Sequence, residues 1–152
     1  MQRRTAGFSG IEILIVLVIV GILTGMAIPA FGRAQARRGA MNARDALVSL
    51  GARARSIAIE MGTTVELRLD PSANRAWIVD GTTTLEALDY AGDFAADVKA
   101  ARNGSVLRVC YTPRGLGGAC ASSTVLPDTV TFARGPYTAR AEIQFLGHVS
   151  KL

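Results

Sequence analysis

The sequence predicts an α+β fold: one long N-terminal helix, membrane-spanning in its first half and amphipathic in its second, packed against a small antiparallel β-sheet or sandwich. Three observations predict it. No charged residue interrupts Ile13 to Gly32. Beyond Pro29, apolar residues recur in steps of three and four at Leu47, Leu50, Ala54, Ile57 and Met61. After Gly62 the pattern changes to short alternating runs separated by glycine-rich turns.

The apolar run ILIVLVIVGILTGMAIPAFG is 20 residues long. At about 1.5 Å per residue it spans about 30 Å, the thickness of a bilayer's hydrocarbon core. A buried helix in a soluble protein of 152 residues has little use for such a length. The leader MQRRTAG is short and basic, as in a secretory signal, but the apolar run is too long for one and continues into a helical pattern. Glu12 stands at the edge of the run. In a helix that begins at Phe8, it lies a full turn inside. A carboxylate there costs about 3 kcal/mol near the bilayer centre and less near the edge. It marks either the membrane boundary or a site that awaits a cationic partner.

Gly7-Phe8-Ser9-Gly10-Ile11-Glu12, followed at once by the apolar run, resembles the processing site of type IV prepilins. The resemblance implies cleavage by a membrane prepilin peptidase between Gly7 and Phe8, with methylation of the new Phe8 amine. It also implies that Glu12, fifth in the mature chain, meets the amine of a neighbouring subunit during assembly. Pro29 matches the family's helix-bending proline, whereas Ser9-Gly10 stand where threonine and leucine are more usual. The chemistry is coherent by itself. Gly7 is small and flexible at a cut site. An amine and a carboxylate neutralise one another in a low-dielectric helix bundle, and such a pair contributes specificity more readily than net stability.

The expected organisation is a leader over 1–7, a transmembrane and assembly segment over 8–32, an amphipathic segment over 33–61 and a globular β domain over 62–152. The helix would exceed 50 residues, about 80 Å. In its second half Ala36, Ala40 and Ala43 extend the apolar stripe backward, and Arg33, Arg37, Arg44 and Arg55 lie mostly off it. Gly39 and Gly51 each weaken the helix by about 1 kcal/mol relative to alanine. Pro29 removes a backbone donor and is expected to kink it. Gly62-Thr63-Thr64 is a stop signal. Counting flanking arginines places Arg33, Arg37, Arg38 and Arg44 on the cytoplasmic side. The prepilin resemblance implies the reverse: a single-pass inner-membrane protein with its globular part in the periplasm, later part of a filament.

Strands are predicted over Val65–Leu69 and Ala76–Val79, joined by the turn Asp70-Pro71-Ser72-Ala73-Asn74, and over 105–111, 130–133 and 139–146. Asp93 to Ala101 reads equally as a short helix or as a strand with a loop. The stretch ARARSIAIEMGTTVELRL before an aromatic hairpin, with the later Tyr111-Thr112-Pro113-Arg114-Gly115, resembles the GspH/FimT family of minor pseudopilins and minor pilins. The partners implied are other pilin or pseudopilin subunits, the prepilin peptidase and the inner membrane.

The formal charge is +5, and 15 of the 17 basic residues are arginine. A basic balance fits solvated surfaces and also admits lipid headgroups or nucleic acid. Some members of the pilus branch bind DNA through a C-terminal Gly-Arg-x-Arg. The matching stretch here is Gly147-His148-Val149-Ser150-Lys151, where an imidazole and a hydroxyl replace the two arginines. Neither supplies the phosphate neutralisation that drives such binding, so DNA is not the expected partner.

Cys110 and Cys120 bracket a glycine-rich turn. In an oxidising compartment a disulfide would staple it, contributing about 2–3 kcal/mol; two separate buried thiols are the alternative. His148 is the one histidine, and no nucleophile motif accompanies it. Acids are scattered, with no metal-ligand spacing. The expectation is no catalytic residue, no metal and no cofactor. Three roles fit: a structural minor pilin or pseudopilin that primes or caps a filament, a DNA-binding minor pilin, and an uncleaved membrane-anchored domain.

Overall fold

The computed structural model describes residues 10–100, 106–120 and 125–152, without the side chains of residues 26, 27 and 29. Helix α1 runs Gly10–Met61. It is followed by β1 (Val65–Asp70), β2 (Arg75–Asp80), β3 (Thr83–Asp89), α2 (Tyr90–Phe94), β4 (Asp97–Ala100), β5 (Leu107–Tyr111), β6 (Gly117–Ala119), β7 (Asp128–Arg134), β8 (Tyr137–Ile143) and β9 (Val149–Lys151). The chain divides into two compact units between Gln35 and Ala36.

In the first unit every described residue is exposed. The helix there satisfies its own polar groups: the Thr24 hydroxyl donates to the Val20 carbonyl at 2.7 Å. Such back-bonding lets a hydroxyl sit in an apolar helix without a desolvated orphan. The helical backbone continues through Pro29, whose side chain lies outside the described residues.

In the second unit the rest of α1 packs on two antiparallel sheets. One has strand order β3-β2-β1-β5-β6 and the other β4-β7-β8-β9. The alternation read in Val65–Leu69 is real: Val65, Leu67 and Leu69 are buried, and Glu66 and Arg68 are not. The Asp70 carboxylate accepts from the backbone N–H groups of Ser72 and Ala73, closing the β1–β2 turn. Each sheet turns one face inward onto a single core with Ala43, Leu47, Leu50, Ala54 and Ala58 of the helix.

Several expectations are corrected. The helix stripe ends on Ala58, and Met61 is exposed, because the register runs Leu50, Ala54, Ala58 in steps of four. Gly51 weakens the helix for a reason: a Cβ there would stand 2.7 Å from the Val149 methyl of β9. The ambiguous stretch from Asp93 holds both answers, the end of α2 and then β4. Asp89 caps α2 by accepting from Ala91 and Gly92. The last predicted strand is too long, since β8 ends at Ile143 and residues 144–147 turn. Of the predicted 105–111 strand, residue 105 lies outside the described residues. Three strands were not foreseen: β3, an exposed edge strand; β6, three residues of glycine and alanine; and β9, the short strand Val149–Lys151.

Candidate assembly site

Glu12 lies in the first described turn of α1. Around it Ile11, Ile13, Leu14, Ile15, Val16, Leu17, and on through Leu23, every large apolar side chain is at least 50 % exposed. Among the described residues nothing covers this surface. Burying it removes apolar area from water at roughly 25 cal/mol per Å². The helix is long and apolar enough to cross a membrane. Within such an environment Glu12 is a charged exception, and its chemistry is that of an acceptor for a cation. Gly7 and Phe8, the expected cleavage pair, lie outside the described residues. The structure brings together Glu12 and the apolar run on one helix.

The second unit presents its own chemistry at the end where α1 finishes. Tyr111 of β5 donates its hydroxyl to the Gly147 carbonyl at 2.7 Å. Burial pushes the Tyr111 hydroxyl up to about 12, against a smaller downward pull from Arg55. Cys110 and Cys120 are joined by a disulfide with their Cα atoms 5.0 Å apart. That link fastens the short edge strand β6 to β5, where only three residue pairs are in register.

The C-terminal stretch considered for nucleic acid offers little cation. His148 is exposed beside the β8–β9 turn. Lys151 is committed to Asp45 of α1, its ammonium 3.0 Å from the carboxylate. Asp45 also holds Arg44 at 2.8 Å. Burial works to raise the Asp45 carboxyl, but hydrogen bonds from Lys151 and Arg44 outweigh it and hold the group below its ordinary value. Arg140 remains exposed on β8. A phosphate binder needs several free cations converging on one groove. Here one of the two nearby cations is already paired.

Among the described residues no group of three His, Cys, Asp or Glu side chains could hold a metal ion. Sequence reasoning missed the meeting of the β5–β6 and β8–β9 turns. Its signal was present as glycines at 117 and 147, but nothing in a linear pattern pairs two turns from different sheets.

The fold is similar to three solved structures. Two crystal forms of the type IV minor pilin FimU of Pseudomonas aeruginosa match with TM-scores of 0.57 and 0.53 at 13 % and 14 % identity. They cover 76 % and 74 % of this chain and 90 % and 91 % of theirs. The minor pseudopilin EpsH from the type 2 secretion system of Vibrio cholerae matches with a TM-score of 0.51 at 13 % identity, over 74 % of this chain and 95 % of its own. No protein-family model matches the chain, and neither does the sequence of any curated protein. At these identities the likeness is one of architecture: the chain has the α+β fold of minor pilins and pseudopilins, a long helix on antiparallel sheets.

Proposed function

We propose that the chain is a structural minor pilin or minor pseudopilin. It is cut by prepilin peptidase between Gly7 and Phe8, methylated on Phe8, and incorporated into a type II secretion pseudopilus or a type IV pilus, which it primes or caps. Before assembly it is a single-pass inner-membrane protein with residues 62–152 in the periplasm. In the filament its partners are other pilin or pseudopilin subunits.

The observation that carries this reading is the exposed apolar half of α1 with Glu12 in its first turn, on a chain whose fold resembles that of FimU and EpsH. The physical logic runs in two steps. In the bilayer the apolar segment is solvated by lipid. In the filament it is solvated by the same segment of neighbouring subunits, and Glu12 gains a charge partner in a neighbour's Phe8 amine. Opposite charges in a low-dielectric bundle attract strongly, and removing one leaves the other buried and uncompensated. The pair thus selects one axial register and penalises the others. The Cys110–Cys120 disulfide accords with an oxidising periplasm.

The test is incorporation. In full-length chain expressed with its own assembly system, Glu12→Ala is expected to be processed normally yet to be lost from the sheared filament fraction. Recovery of Glu12→Ala in filaments at the wild-type level would remove the role assigned to the carboxylate.

A further inference from the structure

The outer face of the five-stranded sheet carries Trp77, and we infer that the hollow beside its ring binds a neutral saccharide. The hollow has a volume of about 330 Å³ and is lined by Asp70, Ala73, Arg75, Trp77, Thr84 and Ala87. Trp77 is half-buried on β2, with Arg68 and Ala87 as its cross-strand neighbours. On the Ala87 side the neighbour is too small to cover the ring. An aromatic face left open beside small residues is a stacking surface for a flat apolar face of a ligand.

A bulge completes the polar wall. Thr84 and Ala87 are three residues apart, so a regular strand would turn them to opposite faces. The register instead jumps: Ile78 faces Glu86, but Val79 faces Thr84. Leu85 is the extra residue, and Thr84 is thereby brought into the same hollow as Ala87. Bulges re-aim single side chains in this way. The third polar group is Asp70. Its Oδ1 accepts from the Ser72 amide at 2.9 Å, the Ser72 hydroxyl at 2.6 Å and the Ala73 amide at 3.2 Å. All three go to one oxygen, which leaves Oδ2 for a ligand hydroxyl. A carboxylate acceptor, a guanidinium donor and a hydroxyl that does both, set around an open ring, match a sugar's alternating C–H face and hydroxyl rim.

Charge decides against a polyanion. Arg75 lies in register between Asp70 and Asp89, two carboxylates to one guanidinium. The adjoining Arg68 and Arg108 share Glu66, at 2.7 and 3.6 Å, so the face sets three guanidinium groups against three carboxylates, Glu66, Asp70 and Asp89. A face with its cations balanced lacks the excess positive charge on which phosphate binding depends.

Trp77 is the only tryptophan in the chain, so its emission reports this hollow alone. Full-length protein in detergent micelles is titrated with chitotetraose, maltotetraose and cellotetraose. At least one is expected to change the emission saturably, with an affinity that is unaltered by raising salt from about 50 to about 300 mM. Asp70→Asn and Thr84→Val are each expected to weaken that affinity by about five-fold or more, Thr84→Val without changing the thermal melt. The inference is overturned by no saturable change with any of the three. It is also overturned by unweakened binding in both variants, or by a salt-sensitive response to a single-stranded oligothymidylate in place of a saccharide.

Discussion

The Tyr111 hydroxyl donates to the backbone carbonyl of Gly147 across 2.7 Å, and this one bond joins the two sheets where the β5–β6 turn meets the β8–β9 turn. Tyr111 is 2 % exposed, so the carbonyl has no water to fall back on. Tyr111→Phe leaves it unsatisfied, which costs about 1–3 kcal/mol. The expected outcome is a lower thermal midpoint by near-ultraviolet circular dichroism, with full-length protein in micelles.

The same bond sets an alkaline limit. The folded Tyr111 titrates at about 12, above the ordinary value of 10.0. The unfolded chain therefore loses this proton first. The stability that Tyr111 contributes is whole below about pH 10 and is lost as pH rises toward its folded value. Stability measured by denaturant is expected to fall from about pH 10 upward, and to fall less steeply in Tyr111→Phe.

The two turns touch through their backbones. A Cβ on Gly117 would stand 2.6 Å from the Leu146 carbonyl oxygen and 2.9 Å from the Gly147 Cα. Neither is a flexible side-chain end, so one turn must shift. Gly117→Ala is expected to cost about 2 kcal/mol, in the range of overpacked sites. Gly118→Ala, one residue on and in open space, is the control expected to change little.

How much of this was readable beforehand depends on how local the cause is. Val65–Leu69 alternates because one face is buried, and Gly62 ends the helix with a backbone φ of +66° that favours glycine; both are local and both were legible. The strand β3 escaped because as an edge strand it buries almost nothing, so Leu85, Glu86 and Ala87 show no alternation to read. The bulge at Leu85 hides the pattern further. At Gly117–Ala119 there is too little side chain to signal anything. Glu12 stands out in the sequence because a carboxylate at the edge of an apolar run is a local anomaly, and its role in assembly belongs to the proposal. The Lys151–Asp45 pair was not, since it joins residues 106 apart in the chain.

That pair predicts an acid response. Asp45 titrates below its ordinary value of 3.8 in the folded chain. Its contribution is therefore present above about pH 4 and lost as pH falls through the folded value. The partners are about half exposed, so the pair is worth under about 1 kcal/mol. Asp45→Asn is expected to loosen β9 from α1 at neutral pH, seen as faster amide exchange over Val149–Lys151.

The disulfide spans 10 residues of sequence and closes the loop that carries β6. Cys110→Ser with Cys120→Ser is expected to lower stability by about 2–3 kcal/mol through the freed unfolded chain. Reduction of the wild-type protein should give the same midpoint as the double variant.

The most direct check on the account is the intact mass of the protein purified from native membranes, with and without the prepilin peptidase. The account predicts a chain that begins at Phe8 and carries one added methyl group when the peptidase is present, and a chain that begins at Met1 when it is absent. A chain that keeps Met1 in both would contradict it.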